Sequence, residues 1–248
     1  MTEQEPRTIR KIRSITLLLA AAAFMVVVPG GSGFVVQAVP GVPITDNAAG
    51  GDDGGAKGSV WVVNRDLGEL AIFDAETGEL IEKLKVGAGA HDICISEKAG
   101  TAYITAEAIN TVTAVDIETL ATESIPVGPL PHHIEPSHDG RKIFVTLASH
   151  PMTVPAPGTP AFATIDTDDN SVTYTATSAN AAARAHAVFP TPDGDRMFVA
   201  HDTGNQVSGV DMETGDIFLS VSPILRAEEV VATRSAISSG SRRAATAL

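Results

Sequence analysis

Three of the chain's seven histidines, His91, His132 and His186, stand in one recurring setting. Each is followed two places on by an apolar residue (Ile93, Ile134, Val188) and twelve places on by an aromatic one (Tyr103, Phe144, Phe198). A neutral imidazole on a rigid frame is a good ligand for copper, zinc or iron, and it also exchanges protons near neutral pH. Two readings follow. The rings bond neighbouring loop backbone and keep adjacent units in register, or they converge on a metal ion, a haem-type cofactor or a small ligand.

What places these residues is a repeat of about 41 residues, read most fully in residues 86–116. An aspartate lies thirteen places past the aromatic, from Trp61 to Asp74, Tyr103 to Asp116 and Phe198 to Asp211, and an insertion stretches that step between Phe144 and Asp166. The short runs between turns are rich in β-branched and aromatic residues, so each unit reads as four strands; in the second these are residues 92–96, 102–105, 112–116 and 123–127. Asp74 to Gly78 and Asp211 to Gly215 place an Asp to cap a turn and a Gly to take positive φ, as a short hairpin loop requires.

Phe144-Val-Thr, Phe198-Val-Ala, Trp61-Val-Val-Asn64, the Val127-Gly step that leads to Pro131-His132, and Thr191-Pro-Asp-Gly194 resemble the YVTN-type β-propeller repeat. The resemblance covers residues 59–221. It implies an all-β propeller of four-stranded antiparallel blades, with about four blades present, the first lacking an inner strand, and therefore an incomplete or open ring. It implies no single activity, because such repeats serve binding proteins, scaffolds and parts of redox enzymes. Some redox propellers carry histidine ligands at the channel mouth, and the adjacent pair His132-His133 resembles the copper-cluster members.

In antiparallel blades the start of the first strand and the end of the second share a face of the disc. That face collects His91, His132 and His186 near the axis, with His201 at the end of the fourth unit's second strand and His150 in the insertion of the third. Side chains alternate along a strand, so of His132 and His133 only His132 points into the channel with its counterparts. The expected ligand site is His91, His132 and His186, with His201 and His150 as outer contributors, and the same three inner histidines are the candidate metal ligands.

Around the repeats, residues 1–38 read as a secretory signal: a basic start (Arg7, Arg10, Lys11, Arg13), an apolar core over residues 15–28, and small residues at Val36 and Ala38 for cleavage. The core is shorter than the ~20 residues that span a bilayer. An uncleaved anchor is the alternative to an exported, periplasmic or extracellular protein. Residues 39–58 read as a linker. Residues 148–160 hold four prolines and read as a stiff loop. After Val221 the pattern stops, and residues 222–248 read as an atypical tail, disordered or the product of a frame change or truncation.

The net charge is −13, or −15 once the four basic and two acidic residues of the signal are removed. Such a surface disfavours nucleic acid and anionic membranes and suits cations or basic proteins. The single cysteine, Cys94, lies between Ile93 and Ile95 as a buried small apolar side chain. The sequence carries no haem-attachment, phosphate-loop or zinc-protease motif. These observations predict an exported binding or scaffold module for a protein or small-ligand partner, acting through its histidine-bearing face and open to self-association at its blade edges. The alternative is a periplasmic redox protein, or a subunit of one, holding a transition metal or haem-type cofactor. Whether the chain is an enzyme stays open at this level.

Overall fold

A computed structural model describes residues 24–27, 33–40, 58–148, 161–178, 180 and 183–231. The strands are β1 Phe24–Val27, β2 Gly33–Pro40, β3 Gly58–Asn64, β4 Glu69–Asp74, β5 Leu80–Lys85, β6 Ala90–Ser96, β7 Thr101–Ala106, β8 Thr111–Asp116, β9 Thr122–Pro126, β10 Pro131–Pro136, β11 Lys142–Leu147, β12 Ala161–Asp166, β13 Val172–Ala176, β14 Ala185–Pro190, β15 Arg196–His201, β16 Gln206–Asp211 and β17 Ile217–Val221. They form four antiparallel meanders, β1–β5, β6–β9, β10–β13 and β14–β17. These are propeller blades. Their inner strands pack in sequence, β2 on β6, β6 on β10 and β10 on β14, with no comparable packing that returns from β14 to β2, so the described residues form an open arc.

The buried apolar residues lie between blades. Trp61 and Leu70 of the first blade pack on Ile93 and Ile104 of the second. Tyr103 and Val112 of the second meet Ile134 and Val145 of the third, with Cys94 buried among them. Phe144 and Phe162 of the third meet Val188, Met197 and Val199 of the fourth. Each blade thus needs its neighbour to bury a face, as repeat architectures do. Beyond the fourth blade, Ala187 and Ala200 are covered by Ala227, with Ile224 and Val230 beside it.

Aspartate turns close the hairpins as the sequence predicts. Asp74 Oδ1 accepts the N–H groups of Glu76 and Thr77, and Asp211 Oδ1 those of Glu213 and Thr214. Gly78 and Gly215 follow with φ of 71° and 74°.

Two expectations are revised. The first blade has an inner strand, because β2 pairs along the whole of β3. The strand includes Val36 and Ala38, which the sequence marks as a processing site, and its first residues fall within the stretch read as a signal. Residues 222–231, read as part of a featureless tail, add no strand but pack on the fourth blade, where the Ile224 N–H donates to Asn205 O at 2.8 Å. His150 and residues 149–160 of the insertion lie outside the described residues.

Candidate metal-binding site

The histidines sit where the inner strands are irregular. β6, β10 and β14 each take one extra residue against their partner strand, between Ala90 and Ile93, between Pro131 and Ile134, and between Ala185 and Ala187. Such bulges re-aim side chains. They also free backbone groups, and a threonine of the second strand takes these up. Thr105 Oγ1 accepts the Asp92 N–H at 2.9 Å and Thr146 Oγ1 accepts the His133 N–H at 2.9 Å. Each hydroxyl then donates across to the next blade, Thr105 to His132 O at 2.9 Å and Thr146 to His186 O at 2.7 Å.

The result is a row of imidazoles crossing three blades. The His91 and His132 rings are 4.0 Å apart between centroids and tilted by 34°, while His132 and His186 meet edge-on at 4.5 Å. Glu107 joins them from a 3-10 turn, Glu107–Ile109, that follows β7. Its Oε1 lies 2.5 Å from His132 Nδ1, and its Oε2 accepts Arg65 Nη2 from the first blade. On the other side His132 Nε2 is 3.0 Å from His186 Nε2, and His186 Nδ1 is 2.8 Å from Glu228 O.

The row needs one positive centre, an imidazolium or a cation. An acceptor at each end and two imidazoles between them make three contacts that need three protons, whereas two neutral imidazoles carry two. Burial and the neighbouring His132 push His186 below its ordinary value, and the same two causes push His91 down to about 4. Burial works against the Glu107 charge, but the hydrogen bond with His132 and the nearby His91 and Arg65 outweigh it and hold the carboxyl below its usual range. The Nδ1 atom of His91 is buried without a hydrogen-bond partner among the described residues.

Donor atoms of His91, Glu107 and His132 all lie within 4.8 Å of one another. Ligands about 2.0–2.2 Å from one ion stand roughly 3.5 Å apart, so the group would close by about 1 Å around it. An ion between Glu107 and His132 would also supply that positive centre. His132 Nε2–H then donates to His186, and His186 Nδ1–H donates to Glu228 O. A ligating imidazole is ordinarily oriented by such a partner on its other nitrogen.

Of the residues predicted from sequence, the structure therefore brings His91, His132 and His186 together, with His186 outside the three-donor group and Glu107 within it. His201 lies elsewhere. It is fully buried, its Nε2 is 3.0 Å from Ser208 Oγ, and Ser208 in turn helps to line a cleft of ≈ 290 Å³ with Ser178, Gln206 and Ile217. Burial lowers His201 to about 4, offset in part by the carbonyls of Ala183 and Arg184. His133 points away from His132, with its Nε2 3.9–4.0 Å from carboxylate oxygens of Asp92, Glu135 and Glu229. Burial raises Glu135 to about 7, against the opposing effect of His133.

Glu107 is the residue that sequence reasoning missed. It stands four places after its blade's aromatic, the place held by Arg65, Ala148 and Asp202 in the other units. Three of those four positions are charged and all follow a second strand, which is the signal that could have found it.

No family model matches the chain, and no curated protein matches it. Among solved structures it resembles Kuenenia stuttgartiensis hydrazine synthase, with a TM-score of 0.57 and 20% identity over 73% of this chain and 52% of that one. It also resembles the β-propeller domain of Myceliophteria thermophila Cps50 (Swd1), with a TM-score of 0.55 and 14% identity over 68% of this chain and 53% of that one. The chain thus spans about half the length of these structures. At such identities the likeness carries the fold alone, and that fold is the β-propeller.

Proposed function

We propose that this chain is an exported β-propeller binding module whose histidine-bearing face holds a divalent transition-metal ion on His91, Glu107 and His132. The convergence of these three donors across the seam between two blades, with a buried and unpartnered nitrogen on His91, carries the reading. The basic start and the apolar core within the first 38 residues support export, and cleavage after Ala38 would take β1 and most of β2 from the first blade. The YVTN-like motifs support descent from a repeat family used for binding and scaffolding.

Titrating zinc and copper into tag-free protein at pH 7.5 tests the site. One equivalent should bind to wild type, and Glu107→Gln and His132→Ala should each weaken binding by at least about tenfold. Equal affinities in all three would leave the histidines as structural parts of the repeat. The same donor set suits copper and iron as well as zinc. An ion that cycles reversibly between oxidation states in the bound protein would favour the redox reading over the binding one.

A further inference from the structure

We infer that the cleft between the third and fourth blades is a binding site for a small neutral polyhydroxyl compound, of the polyol or monosaccharide class. It is separate from the metal group and does not depend on it.

The seam that holds the cleft is apolar over one part and polar over the other. Met197, Val199 and Val210 pack there on Phe144 and Phe162 of the third blade. Side chains alternate along a strand, so His201, Gln206 and Ser208 continue the same face. In the third blade the corresponding places on β11 and β12 hold Leu147, Ala161 and Ala163, all buried and apolar. The facing wall differs in the same way. Val86 and Val127, directly after β5 and β9, fill the first and second seams, whereas the residue directly after β13 is Thr177, and where Gly87 and Gly128 stand in those seams the third has Ser178. Burying polar groups is costly unless they are bonded. Thr177, Ser178, His201, Gln206 and Ser208 are each no more than 7% exposed, at places that apolar residues and a glycine fill in the second seam.

Bonds among these side chains leave groups to spare. Gln206 Nε2 donates to Ser178 Oγ and to Ser208 Oγ, the latter at 3.1 Å, which uses both of its protons. Ser178 Oγ also accepts the Asn180 N–H at 2.9 Å, and Ser208 Oγ shares a proton with His201 Nε2 at 3.0 Å. The Ser178 O–H and Gln206 Oε1 are left with no partner among the described residues. They are one donor and one acceptor on the wall of a space of ≈ 290 Å³ that Asn180, Ser208, Ile217 and Ser220 complete. The hydroxyl of the adjoining, fully buried Thr177 is unpartnered as well.

The lining selects by chemistry. It holds no charged side chain, and burial keeps the His201 behind it neutral, lowered to about 4. An ion entering the cleft would shed water without meeting a counter-charge. A hydroxyl both donates and accepts, so neighbouring hydroxyls on one small molecule match Ser178 and Gln206, while Ile217 offers an apolar wall to its C–H groups. The volume falls at the lower end of small-molecule sites.

Protein-observed NMR of the full chain without added metal tests this at pH 7.5, with glucose and myo-inositol as neutral probes and gluconate and glucosamine as charged ones. Saturable shifts at the amides of Ser178, Gln206, Ser208 and Ser220 are expected with at least one neutral probe, and binding at least about tenfold weaker with the charged pair. Gln206→Ala and Ser178→Gly place in this seam what Ala161 and Gly128 supply in the second, so the fold should tolerate both. Each should raise the midpoint for the neutral probe by about three- to tenfold, the worth of a hydrogen bond to a neutral group. The inference is overturned by the absence of saturable shifts with both neutral probes, by shifts confined to other residues, by charged probes that bind as tightly, or by unchanged midpoints in both variants.

Discussion

The Thr105 hydroxyl donates to the carbonyl oxygen of His132, 27 residues away and one blade on, at 2.9 Å, while its oxygen accepts the N–H of Asp92 at the bulge of its own blade. One side chain therefore closes a local irregularity and fixes the next blade's histidine. Thr146 does the same for His133 and His186. The corresponding positions are Val63 in the first blade and Ala200 in the fourth, which have no hydroxyl to give. Thr105→Val leaves a buried N–H and a carbonyl unpaired, and it should lower stability by about 2–3 kcal/mol, whereas Thr105→Ser should recover most of the loss. Urea unfolding of the three proteins, read at the midpoint with unchanged slope, checks this.

His186 orients His132 without belonging to the donor group. His186→Ala should weaken zinc binding by about tenfold or somewhat more, the usual cost of losing such a partner, while a stoichiometry of one ion is kept. Loss of the ion altogether in this variant would make His186 a ligand.

His201 makes stability depend on pH. Its folded value is lowered to about 4 from an ordinary 6.5. Between those values the unfolded chain holds the extra proton, so stability is fully present above about 6.5, falls as the pH drops through this window and levels off below about 4. With each pK unit worth about 1.4 kcal/mol, the change attributable to this residue is at most about 3.5 kcal/mol. His201→Gln should be less stable at pH 7 yet show a flatter slope between pH 6.5 and 4, measured by urea unfolding at stepped pH.

Glycines of the same backbone type should differ in cost. A Cβ at Gly215, at φ of 74°, meets nothing within 4 Å, so Gly215→Ala pays the left-handed conformation alone, about 1–2 kcal/mol. At Gly204, φ is 76° and a Cβ would lie 2.7 Å from the Ala183 Cα, a backbone atom. Gly204→Ala should therefore cost clearly more, and thermal unfolding of the pair decides it.

The repeat made most of the fold legible, because turn residues and aromatics recur at fixed distances. In the last three blades the aromatic pairs with a residue nine places earlier, as in Cys94 with Tyr103, Glu135 with Phe144 and Phe189 with Phe198. Trp61 instead pairs with Gln37, twenty-four places earlier, so a fixed period could not reveal β2. The three aligned histidines were visible for the same reason of spacing. Glu107 was not, because its partners come from neighbouring blades and nothing local marks a carboxylate after a strand as special. The approach of residues 222–231 was half visible: Val221-Ser-Pro-Ile224 repeats the form of Val127-Gly-Pro-Leu130, with no histidine after it.

His91 and Glu107 ride on one sheet and His132 on the next, so the proposed ion would be a rivet through two plates that otherwise touch along an apolar seam. A rivet resists changes in the wedge angle between plates, and its grip is strongest at one angle. Linkage makes the effect mutual. Whatever bends the arc tighter or flatter, a further blade docking on its open end included, must alter the affinity for the ion by the same factor by which the ion alters that docking. The curvature of the arc and the occupancy of the seam are two readings of a single equilibrium.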